Sequence, residues 1–367
     1  MTNHPSVKFN PREGKEFYST LRKRVNNYFK ENNISKFGNT EMYLKTVFMI
    51  SLYTVPYLLM VTGVISSPWL MLSMTVLMGL GEAGVGLTVM HDANHGSYSK
   101  NRRVNNIMSY TLNGLGGNTF NWRVQHNVLH HTFTNIQGMD EDIESVPILR
   151  FSPHTRLMKV HKLQWLYAWF FYGLMTIMWS ISKDFTQLIT FKKKGLLESQ
   201  NTTFWKELRI ILVSKVLYYS VILVVPMLTM EITFWQWLLG FVVMQYIAGL
   251  SLALIFQPAH VLEDTSYPLP DGEGNIESNF AIHQLQTTAN FANNSRVFGW
   301  LVGGLNHQIE HHLFPNICHV HYRKISKIVK ETSHEYGLPY HQKKTFAHAL
   351  WSHGKMLYKL GRMKPAA

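Results

Sequence analysis

The chain is poor in cysteine and in acidic residues, and both shortages limit the kinds of site and partner that it can have. Its 367 residues include one cysteine, Cys318, which excludes a disulfide framework, an iron–sulfur cluster and a cysteine-ligated zinc site. Aspartate and glutamate number 22 against 35 lysines and arginines, so the formal charge is +13. A basic chain can bind nucleic acid. Here the basic residues flank apolar segments and form no base-reading motif, so we predict no nucleic-acid partner.

Long apolar runs are present although the mean hydropathy is close to zero (−0.06), because apolar and polar residues are gathered in separate blocks. A helix needs about 20 apolar residues to cross the ~30 Å hydrocarbon core of a bilayer. Four runs meet this length, at about 46–65, 69–90, 208–230 and 233–256. Residues 1–45 are polar and do not resemble a signal peptide, so we expect the first span to remain in the mature protein.

Small residues and one carboxyl group mark the second run. Gly79, Gly81 and Gly84 would let neighbouring helices approach closely. Glu82 lies between them, and a carboxyl group at membrane depth must be paired, protonated or beside a cavity. The sequence leaves a packing role and a functional role for Glu82 equally open.

Three clusters of histidines repeat one pattern among the 19 histidines of the chain. Each cluster pairs histidines four residues apart, which share one face of an α-helix, and each lies beside an apolar segment. The clusters are His91 and His95 in HDANHGS, His126, His130 and His131 in QHNVLHHTFTN, and His307, His311 and His312 in NHQIEHHLFP. Unrelated structural histidines would not repeat in this way, and neutral imidazole is a common metal ligand. We therefore interpret the clusters as metal ligands.

The number of imidazoles indicates two metal ions, because ~4–6 ligands fill one coordination shell. Ligation by nitrogen alone suits iron, copper or zinc, and spacing does not choose among them. A redox pair such as iron can activate dioxygen and remove hydrogen from an unactivated alkyl chain. The acyl chains of lipids are accessible to a protein that is embedded in a bilayer.

The segment 164–181 is also apolar, and the basic residues decide whether it crosses the membrane. If it crossed, the three lysines at 192–194 would be exported, and the third cluster would lie opposite the first two. If it does not cross, all three clusters and most basic residues are cytoplasmic, as the positive-inside rule requires. We therefore predict an interfacial 164–181, cytoplasmic termini, and an active site on the cytoplasmic side (of the inner membrane in a bacterium).

These features predict an all-α polytopic membrane protein, with four transmembrane helices and a cytoplasmic helical cap that holds a two-metal site. We divide the chain into a basic cytoplasmic segment, 1–45, a membrane domain, 46–330, and a cytoplasmic C-terminal tail, 331–367. Apolar residues such as Leu21 and Val25 recur at helical spacing in the first segment. They predict an amphipathic helix that lies on the membrane or packs on the cap.

Together the clusters resemble the three histidine boxes of the integral-membrane fatty acid desaturase family. HDANH is similar to the first box, HNVLHH to the second and QIEHH to the third. The third box begins with Gln308 where many members have histidine; this variant resembles front-end desaturases and bacterial acyl-CoA (linoleoyl-CoA-type) desaturases. FQPAH, which ends at His260, is similar to the family's additional ligand segment. HQLQTTANFA, from His283, resembles the bacterial members.

The resemblance implies two iron ions (Fe2+/Fe3+) and a set of histidine ligands. The ligands implied are His91, His95, His126, His130, His131, His260, His311 and His312. His307 is an extra imidazole that could replace the ligand missing at Gln308, and His283 is a weaker candidate. Carboxylates in or near the boxes could orient ligand N–H groups or serve as caps and surface charges: Asp92, Asp140, Asp142 and Glu310.

The resemblance also implies the reaction and the partners. We expect an O2-dependent acyl desaturase that places a cis double bond in a long-chain acyl-CoA or acyl-lipid. Many eukaryotic front-end members carry a fused cytochrome b5 domain with an HPGG motif, and this chain lacks the motif. We therefore expect a separate electron donor, ferredoxin or cytochrome b5. A hydroxylase or acetylenase on the same scaffold is an alternative, as is a metal transporter, which the position of the histidines outside the spans disfavours.

Overall fold

The computed structural model describes residues 7–144 and 147–364, and most of them are helical. The α-helices are Lys15–Glu31, Thr40–Val61, Pro68–Leu87, Val89–Asn94, Arg102–Ser109, Thr111–Gly114, Thr119–Trp122, His131–Phe133, Gln164–Gly173, Met175–Met178, Asp184–Lys193, Leu196–Ser199, Phe204–Tyr219, Val225–Thr229, Phe234–His260, Phe280–Thr287, Arg296–Leu301, Gln308–Leu313, Tyr322–Glu335 and Phe346–Leu360. Three π-helices, Arg123–His130, Trp179–Lys183 and Ser220–Val224, and two 3-10 helices, Lys159–Leu163 and His319–His321, complete the helical elements described.

Four of these helical stretches are long and apolar enough to span a membrane, as predicted. They are Thr40–Val61, Pro68–Asn94, Phe204–Thr229 and Phe234–His260. Each differs from the predicted run by a few residues at one or both ends, because an apolar run marks only the part that faces hydrocarbon. The helices continue through polar residues, so that the second stretch includes His91 and the fourth ends at His260. The four helices make the chain a membrane protein; the interfacial position of 164–181 stays a prediction.

The chain divides into two compact units, one of which is built from residues 40–124 and 169–253. We call this part the second unit. In it Gly81 lies so close to the backbone of Tyr53 that a side chain at residue 81 would overlap that backbone. This confirms the close helix approach expected from the glycines. Both carboxylate oxygens of Glu82 lie 3.1 Å from Nε2 of Gln245, which also contacts the Tyr218 hydroxyl at 2.9 Å. Glu82 therefore has hydrogen-bond partners within the unit, as a buried carboxyl group must.

The first unit contains the described parts of residues 1–39, 125–168 and 254–367. Two short parallel strand pairs belong to it: Lys8–Phe9 with Asn275–Ile276, and Asn290–Phe291 with Gln342–Lys343. They tie segments that are far apart in sequence. The rest of the unit is helical, in agreement with the predicted fold class.

The N-terminal helix Lys15–Glu31 is amphipathic, and its apolar face is covered within the first unit. Leu21 and Val25 are fully buried in one cluster with Ile325 and Val329 of helix Tyr322–Glu335. The sequence left two arrangements open for this helix, lying on the membrane or packing on the cap, and the structure shows packing on the cap. The boundary predicted at residue 331 falls inside helix Tyr322–Glu335. The division into three segments and their sidedness stay predictions.

Candidate metal centre

The second histidine box lies on the π-helix Arg123–His130 and the turn that follows it. The spacing predicts an α-helix with His126 and His130 on one face. The helix type is wrong, but the two rings do lie side by side, stacked with 5.3 Å between their centroids. Hydrogen bonds of a π-helix join residues five apart, so the wider turn brings His126 and His131 together, with 3.2 Å between their Nε2 atoms. The sequence could not show this, because an apolar–polar pattern does not distinguish the two helices over eight residues.

The third box adds a further imidazole to this pair. His311 and His312 lie on helix Gln308–Leu313, and the Nε2 atoms of His311 and His131 are 2.9 Å apart. The Nε2 atoms of His126 and His311 therefore both face Nε2 of His131. A neutral imidazole has one hydrogen-bond donor and one acceptor. Three ring nitrogens that converge are therefore better satisfied by binding a cation than by hydrogen bonds to one another.

A second group of histidines is completed by the end of the fourth long helix. Ring nitrogens of His130, His260 and His312 lie within 4.8 Å of one another, and all three side chains are buried. The Nε2 atoms of all three have no hydrogen-bond partner among the described residues. Buried polar nitrogens are normally satisfied, so three unsatisfied ones on side chains as close as these fit a metal ion.

The other ring nitrogen of His130 faces a carboxylate. Its Nδ1 lies 3.1 Å from both carboxylate oxygens of Asp140 and 3.5 Å from one oxygen of Asp142. Burial lowers the pKa of His130, but the carboxylates of Asp140 and Asp142 together more than offset that effect, so the pKa is raised. The carboxylate of Asp140 accepts a hydrogen bond from Nδ1–H of His130, which leaves the Nε2 lone pair of the neutral ring for a metal. These contacts are the ones that an orienting role of Asp140 and Asp142 requires, and that role stays a prediction.

A turn joins the second box to His260. Asn135 adopts a left-handed conformation (φ 60°), and its backbone N–H donates to Asp140 at 2.9 Å. Its side-chain Nδ2 donates to the carbonyl oxygen of His260 at 3.0 Å. Thr265 Oγ1 donates to the same carbonyl at 2.7 Å. The backbone of His260 is therefore held by the segment that carries the second box.

The first box belongs to the second unit. His91 lies on helix Val89–Asn94 and His95 follows that helix, with 4.8 Å between their ring centroids. Both rings contact the Trp122 ring edge-on, at 5.5 and 5.7 Å. The Arg123 guanidinium donates to Oδ1 of Asn94 at 2.8 Å. These contacts fix the end of the helix and the rotamers of its two histidines.

Comparisons with known proteins show the family of this chain. Residues 67–344 match the family model described as fatty acid desaturase. This chain belongs to the fatty acid desaturase family. It is therefore an oxidoreductase that desaturates fatty acyl lipids, and the resemblance noted in the sequence is confirmed. Membership also favours an enzyme over a metal transporter.

Three relatives of this desaturase match over nearly its whole length. The sn-1 linoleoyl-lipid 6-desaturase of Arthrospira platensis is 34% identical over 94% of this chain and 92% of its own. The enzyme of the same name from Synechocystis sp. is 34% identical over 97% of this chain and 98% of its own. An acyl-lipid (8-3)-desaturase of Physcomitrium patens is 36% identical over 95% of this chain and 72% of its own.

Some of the predicted candidates in this desaturase lie outside the two groups of histidines. Among the described residues, His307 belongs to no group of histidines and acidic side chains close enough to share an ion. Its Nδ1 faces Asn293 at 2.8 Å and lies 3.7 Å from Glu310. Glu310 itself accepts hydrogen bonds from Asn290 at 2.8 Å and from the Tyr340 hydroxyl at 3.0 Å.

Two further candidates can be placed by their contacts. Nε2 of His283 lies 2.9 Å from the carbonyl oxygen of Thr134, and burial lowers the pKa of His283 to about 4. This contact occupies one of its two ring nitrogens with the backbone. Gln308 is buried, and its Oε1 has no hydrogen-bond partner among residues 7–144 and 147–364. Asp92 lies in the second unit, with one carboxylate oxygen 3.9 Å from Nδ1 of His91.

Gln284 and Asn135 were missed as site residues in the sequence. Both contact the boxes, yet their carboxamide side chains are weaker ligands for transition metals than imidazole is. Gln284 lies in the motif HQLQTTANFA, which indicated a branch of the desaturase family but no role. Only the fold brings Gln284 and His312, 28 residues apart, within 2.8 Å.

Proposed function

We propose that this desaturase uses two iron ions and O2 to place a cis double bond in the long acyl chain of a membrane lipid. The three buried Nε2 atoms of His130, His260 and His312, which have no hydrogen-bond partner among the described residues, carry the metal part of this proposal. The names of the relatives support an acyl-lipid substrate rather than acyl-CoA, and linoleoyl-lipids are the first substrates to test.

The proposed ligands are the eight histidines of the boxes and of the fourth long helix. His130, His260 and His312 would hold one ion. His126, His131 and His311 would hold ligand positions of the other. His91 and His95 of the first box are proposed ligands as well. His307 stays a separate prediction. The full set of proposed ligands is therefore His91, His95, His126, His130, His131, His260, His311 and His312.

Two iron ions held by these ligands would supply the activation of dioxygen. The overall reaction takes two hydrogens from adjacent methylenes, two electrons and two protons, and it reduces dioxygen to two waters. The protein's own residues keep the ligands in the required state. Burial lowers the pKa of His312 well below its ordinary value, and neighbouring histidines lower it further. His312 is therefore neutral and can offer a lone pair. Asp140 holds the proton of His130 on Nδ1.

Electrons would come from a separate ferredoxin or cytochrome b5. Lysines and arginines outnumber acidic residues 35 to 22, and a basic surface raises the association rate with an acidic donor. We propose that the histidine boxes face the cytoplasm, where such donors are found.

Expression of the full chain in a host that supplies linoleoyl-lipids tests the function. Gas chromatography–mass spectrometry of the fatty acids should show a product with one additional cis double bond, whose position the fragmentation pattern gives. The matched control is His312→Ala at an equal level in the membrane, which should form no product. A hydroxylated or acetylenic product would favour the alternative enzymes on the same scaffold. An unchanged fatty acid profile with active donor present would contradict the proposal.

The metal proposal is tested separately on purified protein. Metal analysis and Mössbauer spectroscopy of active protein should show two irons per chain in similar nitrogen environments. Zinc can replace iron after overexpression, because imidazole binds it well, so the sample must be iron-replete and active. One metal per chain in fully active enzyme would contradict the two-iron proposal.

A further inference from the structure

We infer that Gln284 is a positioning residue, which fixes the proton of His312 on Nδ1 and thereby makes Nε2 available to a metal. The inference rests on the metal centre proposed above. Gln284 lies on helix Phe280–Thr287 and is fully buried. Its amide group makes three polar contacts, with His131, Thr134 and His312.

The contact with His131 sets the orientation of the amide. Nε2 of Gln284 lies 3.1 Å from the backbone carbonyl oxygen of His131. A carbonyl oxygen only accepts hydrogen bonds, so the NH2 end of the amide must face it. The Oε1 end therefore points the other way, towards Thr134 Oγ1 at 3.0 Å and Nδ1 of His312 at 2.8 Å.

The orientation of the amide decides the tautomer of His312. Oε1 of Gln284 can only accept, so a hydrogen bond to it requires a proton on Nδ1 of His312. Thr134 Oγ1 lies 3.3 Å from the same Nδ1 and 2.7 Å from the carbonyl oxygen of His130, to which it can donate its proton. An unprotonated Nδ1 would face the amide oxygen of Gln284, which cannot donate a hydrogen bond to it. The lone pair of neutral His312 is therefore on Nε2, which has no hydrogen-bond partner among the described residues.

The three histidines of this group rely on three different acceptors for Nδ1. His130 faces the carboxylate of Asp140, and His260 faces the backbone carbonyl of Thr287 at 3.4 Å. Only His312 depends on a neutral side chain from a separate helix. Because the same amide also holds the backbone of His131, Gln284 joins the second box to the third.

A set of substitutions at Gln284 separates the effect of its hydrogen-bond acceptor from the effect of its size. Gln284→Met keeps length and removes both hydrogen-bonding groups, so His312 can adopt either tautomer. Gln284→Glu keeps an acceptor for Nδ1; buried, it is expected to be protonated and to donate to the carbonyl of His131, as the amide does. Gln286→Met is the matched control, because Gln286 lies on the same helix and no side-chain hydrogen bond is described for it.

Iron retention is measured in the purified full chain against increasing chelator, with Mössbauer spectra at each step. We expect Gln284→Met to lose iron at ~10–100-fold lower chelator concentration than wild type, the usual effect of removing a residue that orients a ligand. One iron should leave before the other. Gln284→Glu and Gln286→Met should retain iron close to wild type. If Gln284→Met does not accumulate, Gln284→Asn, whose shorter amide does not reach Nδ1, should show the same loss.

The outcomes distinguish this inference from the proposed function. Wild-type protein that is active without bound metal would overturn the metal centre and the inference together. Wild-type protein with two irons, and Gln284→Met that retains both equally well, would overturn the inference alone. Equal losses in Gln284→Met and Gln284→Glu would show that Gln284 acts through packing and not through the Nδ1 proton.

Discussion

Nδ1 of His130 lies 3.1 Å from each carboxylate oxygen of Asp140, and neither side chain is exposed to solvent. The same carboxylate accepts the backbone N–H groups of Asn135 and Asp142, each at 2.9 Å. Hydrogen bonds to a charged acceptor are stronger than neutral ones. Asp140 therefore both orients a proposed ligand and closes the turn that follows the second box.

Replacing Asp140 by asparagine should weaken metal binding. Asparagine is neutral, so it makes the His130 ring less basic, and its NH2 group cannot accept one of the backbone hydrogen bonds. We expect ~10–100-fold weaker iron retention against a chelator, with a parallel loss of activity. Glu198→Gln, at an exposed carboxylate, is the control for loss of one negative charge. Equal retention in Asp140→Asn and wild type would contradict the role given to Asp140.

The parts of the site that the sequence predicted are those encoded by short motifs. The histidine boxes repeat within a few residues, and the four spans follow from apolar length, so both were visible without a structure. The desaturase family followed from the combination. The carboxylate of Asp140 could also be suspected, because it lies ten residues from His130.

The parts that the sequence missed depend on backbone geometry or on distant pairs. A π-helix and an α-helix have the same composition, so the contact between His126 and His131 was not predicted. Gln284 meets His312 only because two helices from different parts of the chain pack together. Span ends differed by several residues because helix ends depend on capping and on turns rather than on hydropathy.

Alanine substitution should separate proposed ligands from other histidines. Ligand variants should insert in the membrane, because the spans are unchanged, but form no unsaturated product; the four to test are His126→Ala, His131→Ala, His260→Ala and His312→Ala. His154→Ala should lose the side-chain hydrogen bond described for His154, to the carbonyl of Tyr267 at 2.8 Å, worth about 1 kcal/mol. His348 is exposed, and its variant should keep most activity. Wild-type activity in any ligand variant would remove that residue from the centre.

Cysteine labelling tests the predicted topology. The native Cys318 is buried, which keeps background labelling low. Lys193 and Lys344 are exposed, whereas the neighbouring Lys343 is buried against Asp264 and would be a poor reporter. Lys193→Cys and Lys344→Cys should both react only with a reagent that reaches the cytoplasm. Labelling of Lys193→Cys from the outside alone would show that 164–181 crosses the membrane.

His353 should make the protein less stable in acid. Its Nδ1 donates to the carbonyl of Val261 at 2.8 Å, and complete burial lowers its pKa to about 4 from the ordinary 6.5. The unfolded chain takes up this proton as the pH falls below about 6.5, while the folded chain does so only near 4. The stability that neutral His353 preserves, on the order of 3 kcal/mol, is therefore present above pH 6.5 and lost progressively between 6.5 and 4.

The change His353→Gln removes the titration and keeps a donor for Val261. Melting temperatures measured in detergent across this pH range should fall less steeply for the variant than for wild type. His348→Gln, at an exposed site, should follow wild type. Parallel curves for His353→Gln and wild type would show that His353 does not contribute to acid sensitivity.

The third box gives the most discriminating pair of variants, at His307 and Gln308. The sequence favours His307 as the extra ligand, because imidazole binds iron better than a carboxamide does. The contacts favour Gln308: Nδ1 of His307 is engaged by Asn293, whereas Oε1 of Gln308 is buried without a hydrogen-bond partner among the described residues. We therefore expect Gln308→Ala to lower iron retention and activity more than His307→Ala.

The reverse order would restore His307 as the ligand that completes the third box. The control is Asn293→Ala, which removes the described hydrogen bond to His307 but no proposed ligand. If His307 only supports the fold through Asn293 and Glu310, Asn293→Ala and His307→Ala should lower the melting temperature together and leave iron retention close to wild type. Full activity in both His307→Ala and Gln308→Ala would show that neither side chain ligates a metal, and that the eight other histidines complete the centre.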